Sequence, residues 1–566
     1  MKREPPSAPG QPPGPCAGAP RDTFCWAGLA LVTLCLLAIN HFYYLTNTRV
    51  PTYDEAWYLE TSLHFYHALA DHDPGRFLYL YKTAFQTKAP LISLLPQPFY
   101  VLFGTSHWSA LLANSLCLVI SNLCLFLLAR RLFAAEVGLM AVVFYQTMPL
   151  VYGLSRTLMA EYALATLVLA WLYLLTASEG LSRGAINFAL GVVLGLGLLM
   201  KIVFPIFIAG PLLVAWMLRR RRAKPLAGAE TFWLWRLCAR RPLAAIAVPG
   251  LGIAATWYAF NLMNVLRFAW ENAYGGIAAG YSATGQPSRL LLAINEGTSL
   301  YYAAAVLLLG LGALAAGRKR LQWKELISNE RALFLLSWLV APLLAVSASS
   351  NREIRFVIPV LPVVAILVAL SIFQMGRRRS LQGVLALLVL ILPLRLYAEL
   401  SFRPAAPSRQ TTTQLGPFVL FSSDLGWAHS PDSKGAWGQE RIWEAIHRID
   451  TPDGKPHYVI VGVEHPFLNA NMLSYLSAYT PSNLRFTSLG YAESSADRAV
   501  ERIYRMDARF LLMAEGFHGS ELPGFLNQVN AEVRRRLDRG ELPFRLQLKI
   551  VLRENIQALI YKREGA

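Results

Sequence analysis

Long apolar runs constrain this chain more than any other feature of its sequence. Phe24–Thr46, Trp108–Ala129, Pro242–Met263 and Ile354–Phe373 each have the roughly 20 mostly uncharged residues that a helix needs to cross the hydrocarbon core of a bilayer. Only 16% of the 566 residues are charged, whereas soluble domains carry about 25%. The sequence therefore predicts a polytopic α-helical membrane protein.

The formal net charge of +18 lies mainly in short basic clusters between the apolar runs. These clusters are Arg130-Arg131, Arg219–Arg222, Arg240-Arg241, Arg318–Arg320 and Arg377–Arg379. Such clusters are typical of cytoplasmic loops, which carry an excess of Lys and Arg. The charge pattern therefore predicts membrane lipids as surroundings and no nucleic-acid partner.

A threading that keeps every basic cluster in the cytoplasm needs about eleven crossings. The predicted spans are 24–46, 108–129, 136–153, 158–177, 185–200, 202–218, 242–263, 291–316, 331–348, 354–374 and 380–397. The proline-containing stretch Pro90–Phe103 is too short to cross and is interpreted as a helix along the interface. This topology predicts a multi-pass protein of the cell inner membrane with a cytoplasmic N-terminus.

Composition divides the chain into three predicted regions. Residues 1–22 are rich in Pro, Gly and Ala and are expected to form a disordered cytoplasmic tail. Residues 23–400 form the transmembrane domain, with an outer loop at 47–107. Residues 401–566 alternate short β-rich runs with helical patterns, which favours a soluble, extracytoplasmic α/β domain. This domain contains no G-x-G-x-x-G or P-loop sequence, so nucleotide binding has no support.

The predicted topology places isolated charged residues on one face of the membrane. They are Asp54, Glu55, Lys88, Arg156, Glu161, Lys201, Arg352, Glu353 and Arg355. Charges at a membrane boundary are costly unless they are paired or functional. Their common side predicts a polar cavity that opens outward.

Adjacent carboxylates, Asp54 and Glu55, follow the first span and are candidate catalytic residues. A carboxylate here could act as general base toward a hydroxyl nucleophile. The surrounding aromatic residues Tyr53, Trp57 and Tyr58 suit an interfacial belt or stacking against sugar rings. An alternative is that Asp54 and Glu55 cap a helix beginning at Ala56.

Cationic candidates follow farther along the chain. Lys88 precedes the interfacial stretch, where it could contact a lipid phosphate or extend its amine to the interface. Arg156 and Glu161 are five residues apart and could face different ligand groups. Arg352 and Arg355 share a helix face and suit a phosphate, unless they form a salt bridge with Glu353.

Histidines in the first outer loop do not predict a metal site. His64, His67 and His72 match no standard zinc-ligand spacing. No cofactor is therefore expected to be required, although a divalent cation is compatible with the charged residues.

Five motifs in order resemble the GT-C superfamily of glycosyltransferases. They are Tyr53–Tyr58, Lys88–Leu91, Glu161, Lys201, and the run from Arg352 to Pro359. Within that superfamily the chain is similar to protein O-mannosyltransferases and to the transferases that add aminoarabinose to lipid A. The resemblance covers about residues 24–400 and departs at Ala89, where proline is common.

The resemblance implies inverting transfer of a hexose or pentose from a polyprenyl phosphate at the outer membrane face. Asp54 would then be the base or the acceptor-orienting carboxylate, and Glu161 a second carboxylate. Lys88, with Arg156, Lys201, Arg352 and Arg355, would bind the donor phosphate. The acceptor could be a lipid, a glycan or a protein. The alternatives are a membrane transporter or lipid flippase, for which no mid-membrane charges or repeats are found, and a non-catalytic scaffold.

Overall fold

The computed structural model describes residues 19–565, except for 223–231, 276–293, 296, 316–328, 352, 376–378, 404–411, 417, 423–426, 433–436, 452–453, 480–481, 491–492, 494 and 518–523. Helices dominate the chain up to residue 402. They are α1 (Ala19–Thr46), α2 (Tyr53–Ala70), α3 (Pro74–Thr83), α4 (Leu91–Leu94), α5 (Gln97–Phe103), α6 (His107–Leu132), α7 (Ala135–Gln146), α8 (Pro149–Ser155), α9 (Ala160–Ala177), α10 (Gly184–Met200), α11 (Phe204–Arg222), α12 (Trp233–Arg240), α13 (Pro242–Ala273), α14 (Leu300–Ala315), α15 (Glu330–Ala348), a 3₁₀ helix (Ile354–Val360), α16 (Leu361–Met375) and α17 (Arg379–Phe402).

The helical membrane architecture that the apolar runs predicted is confirmed. Each of the eleven predicted spans contains a described helix, although residues 291–293, 296 and 316 of the span 291–316 lie outside the described residues. The number of crossings stays a prediction. In the described part of the chain, seven helices are long and apolar enough to cross a membrane, and the bent pair α7–α8 would make an eighth. The pair bends by 71° just before Pro149, whose ring cannot continue the preceding helix.

Close helix packing in this region depends on small residues. A Cβ atom on Gly191 of α10 would lie 2.5 Å from the carbonyl oxygen of Ile246 in α13. Small residues allow such backbone contacts between membrane helices. Trp171 is fully buried in the core, and its indole N–H donates a hydrogen bond to the carbonyl of Leu190 at 3.0 Å.

The C-terminal region forms a small α/β fold, as the sequence predicted. Its strands are β1 (Thr412–Leu415), β2 (Phe418–Ser422), β3 (His457–Val461), β4 (Leu484–Ser488), β5 (Phe510–Glu515), β6 (Phe544–Val551) and β7 (Gln557–Arg563). Its helices are α18 (Gln439–Ile449), α19 (Ala470–Tyr479), α20 (Ala496–Arg505) and α21 (Gly524–Asp538). The five-stranded sheet has the order β4-β3-β5-β7-β6, in which β3, β4 and β5 are parallel and β7 and β6 are antiparallel. The strands β1 and β2 form a separate hairpin.

The C-terminal region packs directly on residues 47–107 and the nearby helix ends. Helix α19 lies against α2, where the Asn471 side chain donates to the carbonyl of Tyr53 at 3.2 Å. A Cβ atom on Gly153 would lie 2.5 Å from the carbonyl oxygen of Trp427, so only glycine admits this segment. The fold therefore joins the C-terminal region to the elements that carry the predicted site.

Candidate active site

A cavity of about 400 Å³ lies where the predicted site motifs meet. Its polar wall comes from the start of α2, the loop before α4, the start of α9 and the turn between α10 and α11. The end of α13, the end of α15 and the 3₁₀ helix form the rest of the cavity lining. The charged residues lining the cavity are Asp54, Lys88, Glu161, Lys201, Glu353 and Arg355.

Asp54 lies in the first turn of α2, with two cations in contact. Its carboxylate is 2.8 Å from Lys88 Nζ and 3.3 Å from an Arg355 guanidinium nitrogen. Burial acts to raise the pKa of the Asp54 carboxyl, but Lys88 and Arg355 outweigh burial and hold that pKa well below its usual range. Asp54 is therefore an anion throughout the neutral range.

The capping alternative for Asp54 and Glu55 is wrong. The helix begins at Tyr53, three residues before the expected start, and its N-cap residue is Thr52. Asp54 and Glu55 therefore lie inside the first turn, and their carboxylates bond to other segments rather than to the N-terminus of α2. The helix dipole still favours negative charge at this end.

Glu161, Lys201 and Arg355 form the second half of the charged cluster. Glu161 is the second residue of α9 and lies 2.7 Å from Lys201 Nζ and 3.4 Å from Arg355 Nε. Arg355 also contacts Glu353 at 2.8 Å, so the salt bridge weighed from the sequence is present. Arg355 thus bridges three carboxylates, while Arg352, its predicted partner, lies outside the described residues.

Aromatic rings surround the cationic end of the cluster. Lys88 Nζ is 4.9 Å from the ring centroid of Trp57 and 5.4 Å from that of Tyr58, and the amine is directed at Asp54 rather than away from the cavity. Tyr58 lines the cavity, whereas Trp57 packs edge-on against Phe85. Of the three predicted aromatic residues, Tyr53 and Trp57 do not line it.

Glu55 does not reach the cavity, contrary to its predicted catalytic role. Its buried carboxylate accepts a hydrogen bond from the backbone N–H of Leu158 at 2.8 Å and lies 3.2 Å from His107 Nε2. Successive helical residues point about 100° apart, which follows from 3.6 residues per turn. Glu55 therefore holds the segment that precedes α9 while Asp54 faces the cavity.

Arg156 is also placed away from the cavity, contrary to its predicted phosphate contact. Its guanidinium donates to the Asn40 side chain, to the carbonyl of Leu400 and to the Ser401 hydroxyl at 3.1, 3.2 and 2.6 Å. The rings of Tyr43, Tyr152 and Tyr397 surround it at 4.4 to 5.2 Å. Arg156 thus joins α1 to the end of α17, a role that the sequence did not reveal.

The sequence missed the part of the cavity formed by α13. This helix was expected to end near Met263 but continues to Ala273, so Asn272 and Tyr274 reach the cavity. The run loses its apolar character at Arg267 and Glu271, which hides the extension from a hydropathy argument. A continued helical pattern beyond the roughly 20 residues of a span could have revealed it.

The loop histidines take part in other contacts. His64 lies 3.7 Å from Glu60, and His67 Nε2 lies 3.0 Å from the carbonyl oxygen of Ala478. Within the described ranges, no group of three or more His, Cys, Asp or Glu side chains is arranged to hold a metal ion.

Comparisons with known proteins agree with the motifs. Residues 87–239 match the family model described as dolichyl-phosphate-mannose-protein mannosyltransferase. An undecaprenyl phosphate-alpha-4-amino-4-deoxy-L-arabinose arabinosyl transferase of Erwinia tasmaniensis is 26% identical over 284 residues, which are 47% of this chain and 46% of the relative. The chain spans about half the length of the curated relatives it matches.

The crystal structure of ArnT from Cupriavidus metallidurans bound to undecaprenyl phosphate is similar along nearly the whole chain. It covers 95% of this chain and 98% of that one, with a TM-score of 0.56 at 14% identity. The chain has the GT-C fold. The archaeal oligosaccharyltransferase AglB from Archaeoglobus fulgidus, solved with an inhibitory peptide and a dolichol-phosphate, aligns with a TM-score of 0.52 at 12% identity, covering 87% of this chain and 69% of that one. The predicted resemblance to O-mannosyltransferases and aminoarabinose transferases is confirmed.

Proposed function

We propose that this protein is a membrane glycosyltransferase that moves a sugar from a polyprenyl-phosphate donor to an acceptor at the outer membrane face. The observation that carries the proposal is the convergence of Asp54, Lys88, Glu161, Lys201 and Arg355 on one cavity from distant parts of the chain. Relatives named for an undecaprenyl phosphate-linked sugar support the choice of donor.

The charge balance of the cavity suits a phosphate ligand. Three carboxylates (Asp54, Glu161 and Glu353) face three described cations (Lys88, Lys201 and Arg355). A donor phosphate would compete with these carboxylates for the same cations, because cation–phosphate hydrogen bonds are strong and directional. The cations would then stabilise the phosphate as it gains charge on leaving.

Donor binding would also make Asp54 a stronger base. In the resting cluster, Lys88 and Arg355 hold the pKa of Asp54 below its usual range. When these cations shift toward a phosphate, less positive charge faces the carboxylate and its pKa rises. A base whose pKa lies closer to the working pH removes a proton more effectively.

The proposed reaction is a single displacement at the anomeric carbon. The acceptor oxygen forms a bond to C1 of the sugar while the bond from C1 to the phosphate oxygen breaks. The acceptor proton moves to Asp54, and the polyprenyl phosphate leaves with the electron pair. Attack opposite the leaving group gives inversion, as the resemblance implies.

The other wall of the cavity suits an isoprenoid chain. Ile206, Phe207, Val265 and Phe268 line this wall from α11 and α13. Helices α13 and α15 are mostly exposed on the outside of the helix bundle, since only 33% and 22% of the residues in their apolar stretches are buried. A lipid-linked donor can therefore place its chain in the bilayer while its phosphate reaches the charged cluster.

The decisive experiment compares Asp54→Asn with Glu55→Gln in proteoliposomes. The donor is the polyprenyl-phosphate sugar fraction of the membranes in which the protein occurs, and the assay counts sugar moved to an envelope extract. Asp54→Asn should lower transfer by at least about 10²-fold, the size of a general-base contribution. Glu55→Gln keeps an oxygen that can accept from Leu158 and should cost far less.

As a control, both variants must insert into the membrane and have the same thermal unfolding midpoint as the wild type. Turnover of Asp54→Asn close to wild type would remove Asp54 from the catalytic residues. Absence of transfer by the wild type from any lipid-linked sugar in the donor fraction would reject the proposed function itself.

A further inference from the structure

A second concave site is lined by the residues that directly precede α2. It is a cleft of about 510 Å³ between residues 49–51 and the helices α18 and α19 of the C-terminal region. A neighbouring cavity of about 680 Å³ lies across the start of α18, and both are lined by Glu440. Each volume is within the roughly 300–1,000 Å³ of ordinary ligand sites.

The cleft combines aromatic rings with carboxylates. Trp443 and Tyr479 line it, and the indole of Trp443 stacks parallel to the ring of His447, with 5.0 Å between the ring centroids. The hydroxyl groups of Tyr475 and Tyr479 are 2.6 Å apart, which orients both rings. The carboxylates of Glu440 and Glu444 lie at the same cleft and are exposed.

This chemistry selects among ligand classes. The C–H face of a sugar ring packs on an aromatic face, and its hydroxyl groups donate to carboxylate oxygens. Among the described residues that line the cleft, Arg49 is the only cation, and its guanidinium already lies 4.8 Å from the ring of Phe467. Two carboxylates beside one engaged cation disfavour an anionic ligand such as a lipid phosphate.

The position of the cleft connects it to the charged cavity. Pro51 lines the cleft and Asp54 lines the cavity, so their Cα atoms are at most about 11 Å apart, because three residues of extended chain reach no farther. The hydrogen bond from Asn471 to Tyr53 fixes α19, which carries Tyr479, to the start of α2. A ligand in the cleft thus lies beside the helix turn that holds Asp54.

We propose that this cleft binds the carbohydrate portion of the acceptor, through stacking on Trp443 and Tyr479 and hydrogen bonds to Glu440 and Glu444. The inference rests on the proposed function and names its acceptor class: a glycan-bearing molecule. The cleft orients this molecule so that one hydroxyl group reaches the cavity from the side of Asp54.

The test uses the full-length chain in proteoliposomes, with the tritiated polyprenyl-phosphate sugar fraction as donor and an envelope extract as acceptor source. The variants are Trp443→Ala with Tyr479→Ala, and Glu440→Gln with Glu444→Gln. Tyr504→Ala and Glu501→Gln on α20 are matched controls, because both residues are exposed and neither lines the cleft. The second pair changes only exposed side chains and carries the test if the first pair fails to fold.

Both cleft pairs should raise the half-saturating amount of acceptor extract by about tenfold, the effect of roughly 1.4 kcal/mol. The half-saturating donor concentration and the rate at saturating acceptor should stay within about twofold of wild type. The controls should saturate like the wild type. Tritium in the product should remain with glycan after exhaustive protease digestion.

Three outcomes overturn the proposal, and they are distinguishable. Transfer by the wild type, with unchanged acceptor saturation in both cleft pairs, rejects the cleft but leaves the proposed function standing. Label that moves to small peptides on protease digestion shows a protein acceptor and rejects the glycan assignment. No transfer by the wild type rejects the proposed function, and the cleft assignment with it.

Discussion

Replacing Arg355 tests whether the charged cluster binds the donor phosphate. The Arg355 guanidinium contacts Glu353, Asp54 and Glu161 at 2.8, 3.3 and 3.4 Å, and its side chain is only 16% exposed. Arg355→Met leaves three carboxylates facing two lysines, an excess of one negative charge among the described residues. We expect the variant to bind undecaprenyl phosphate much more weakly than wild type.

The magnitude follows from the contact distances. One unit charge about 4 Å from a phosphate contributes about 4 kcal/mol at an effective dielectric constant of 20. Rearrangement of the remaining lysines offsets part of this, which leaves the roughly 1.5–3 kcal/mol typical of hydrogen bonds to charged groups. The expected increase in Kd is therefore about 10- to 150-fold.

A double variant separates direct contact from simple charge balance. Arg355→Met combined with Glu353→Gln returns the described cluster to two carboxylates and two cations. Isothermal titration of undecaprenyl phosphate into protein in nanodiscs gives Kd for the wild type, both single variants and the double variant. If Arg355 contacts the phosphate, the double variant stays at least about tenfold weaker than Glu353→Gln alone. Recovery of wild-type affinity, or a change below about threefold in Arg355→Met, would refute the contact.

Three further predictions follow from the described contacts. Arg156→Met should lower the thermal unfolding midpoint, because each buried acceptor left without a donor costs about 1–3 kcal/mol. The Kd for the donor should stay within about twofold of wild type. A higher donor Kd at unchanged stability would instead support the predicted phosphate contact. The pKa of Asp54 is depressed before donor binding and should rise with it, so the acid limb of kcat should lie at higher pH than that of kcat/KM for the donor; coincident limbs, or limbs that persist in Asp54→Asn, would contradict this. A chain truncated after Leu400 should lose donor affinity, measured with undecaprenyl phosphate in nanodiscs, as well as transfer. The reason is that α19 packs against α2 and the Trp427 ring centroid lies 5.3 Å from the Arg355 guanidinium. Intact donor binding would show that the donor site does not depend on the C-terminal region.

The sequence predicted the helices and the strands because their patterns are local. An apolar run long enough to cross a bilayer, or a short β-branched run between turns, is visible without knowledge of its neighbours. The extension of α13 was missed because hydropathy marks the thickness of the bilayer rather than the end of a helix. Hydropathy alone therefore missed the cavity wall formed by Asn272 and Tyr274.

The sequence predicts on which side of the membrane the charged residues lie, but not the direction in which each side chain points. Asp54 and Glu55 are neighbours in the chain, yet one faces the cavity and the other faces Leu158, because a helix that begins at Tyr53 turns them apart. Arg156 resembled a ligand-binding cation from its position alone. Only the three tyrosine rings and the acceptors from α1 and α17, which are distant in sequence, show that it is enclosed.

The charged residues outside the cavity shape it through the segment 155–159. Glu55 accepts a hydrogen bond from the backbone N–H of Leu158, and the Asn114 side chain donates to the carbonyls of Ser155 and Thr157. Arg156 is enclosed by the three tyrosine rings. This segment leads directly into α9, whose second residue is Glu161. Because catalytic geometry tolerates little displacement, fixing the segment from several sides sets where the Glu161 carboxylate meets Lys201 and Arg355. Glu55 and Arg156, which do not line the cavity, therefore hold the segment from which α9 carries Glu161 into it.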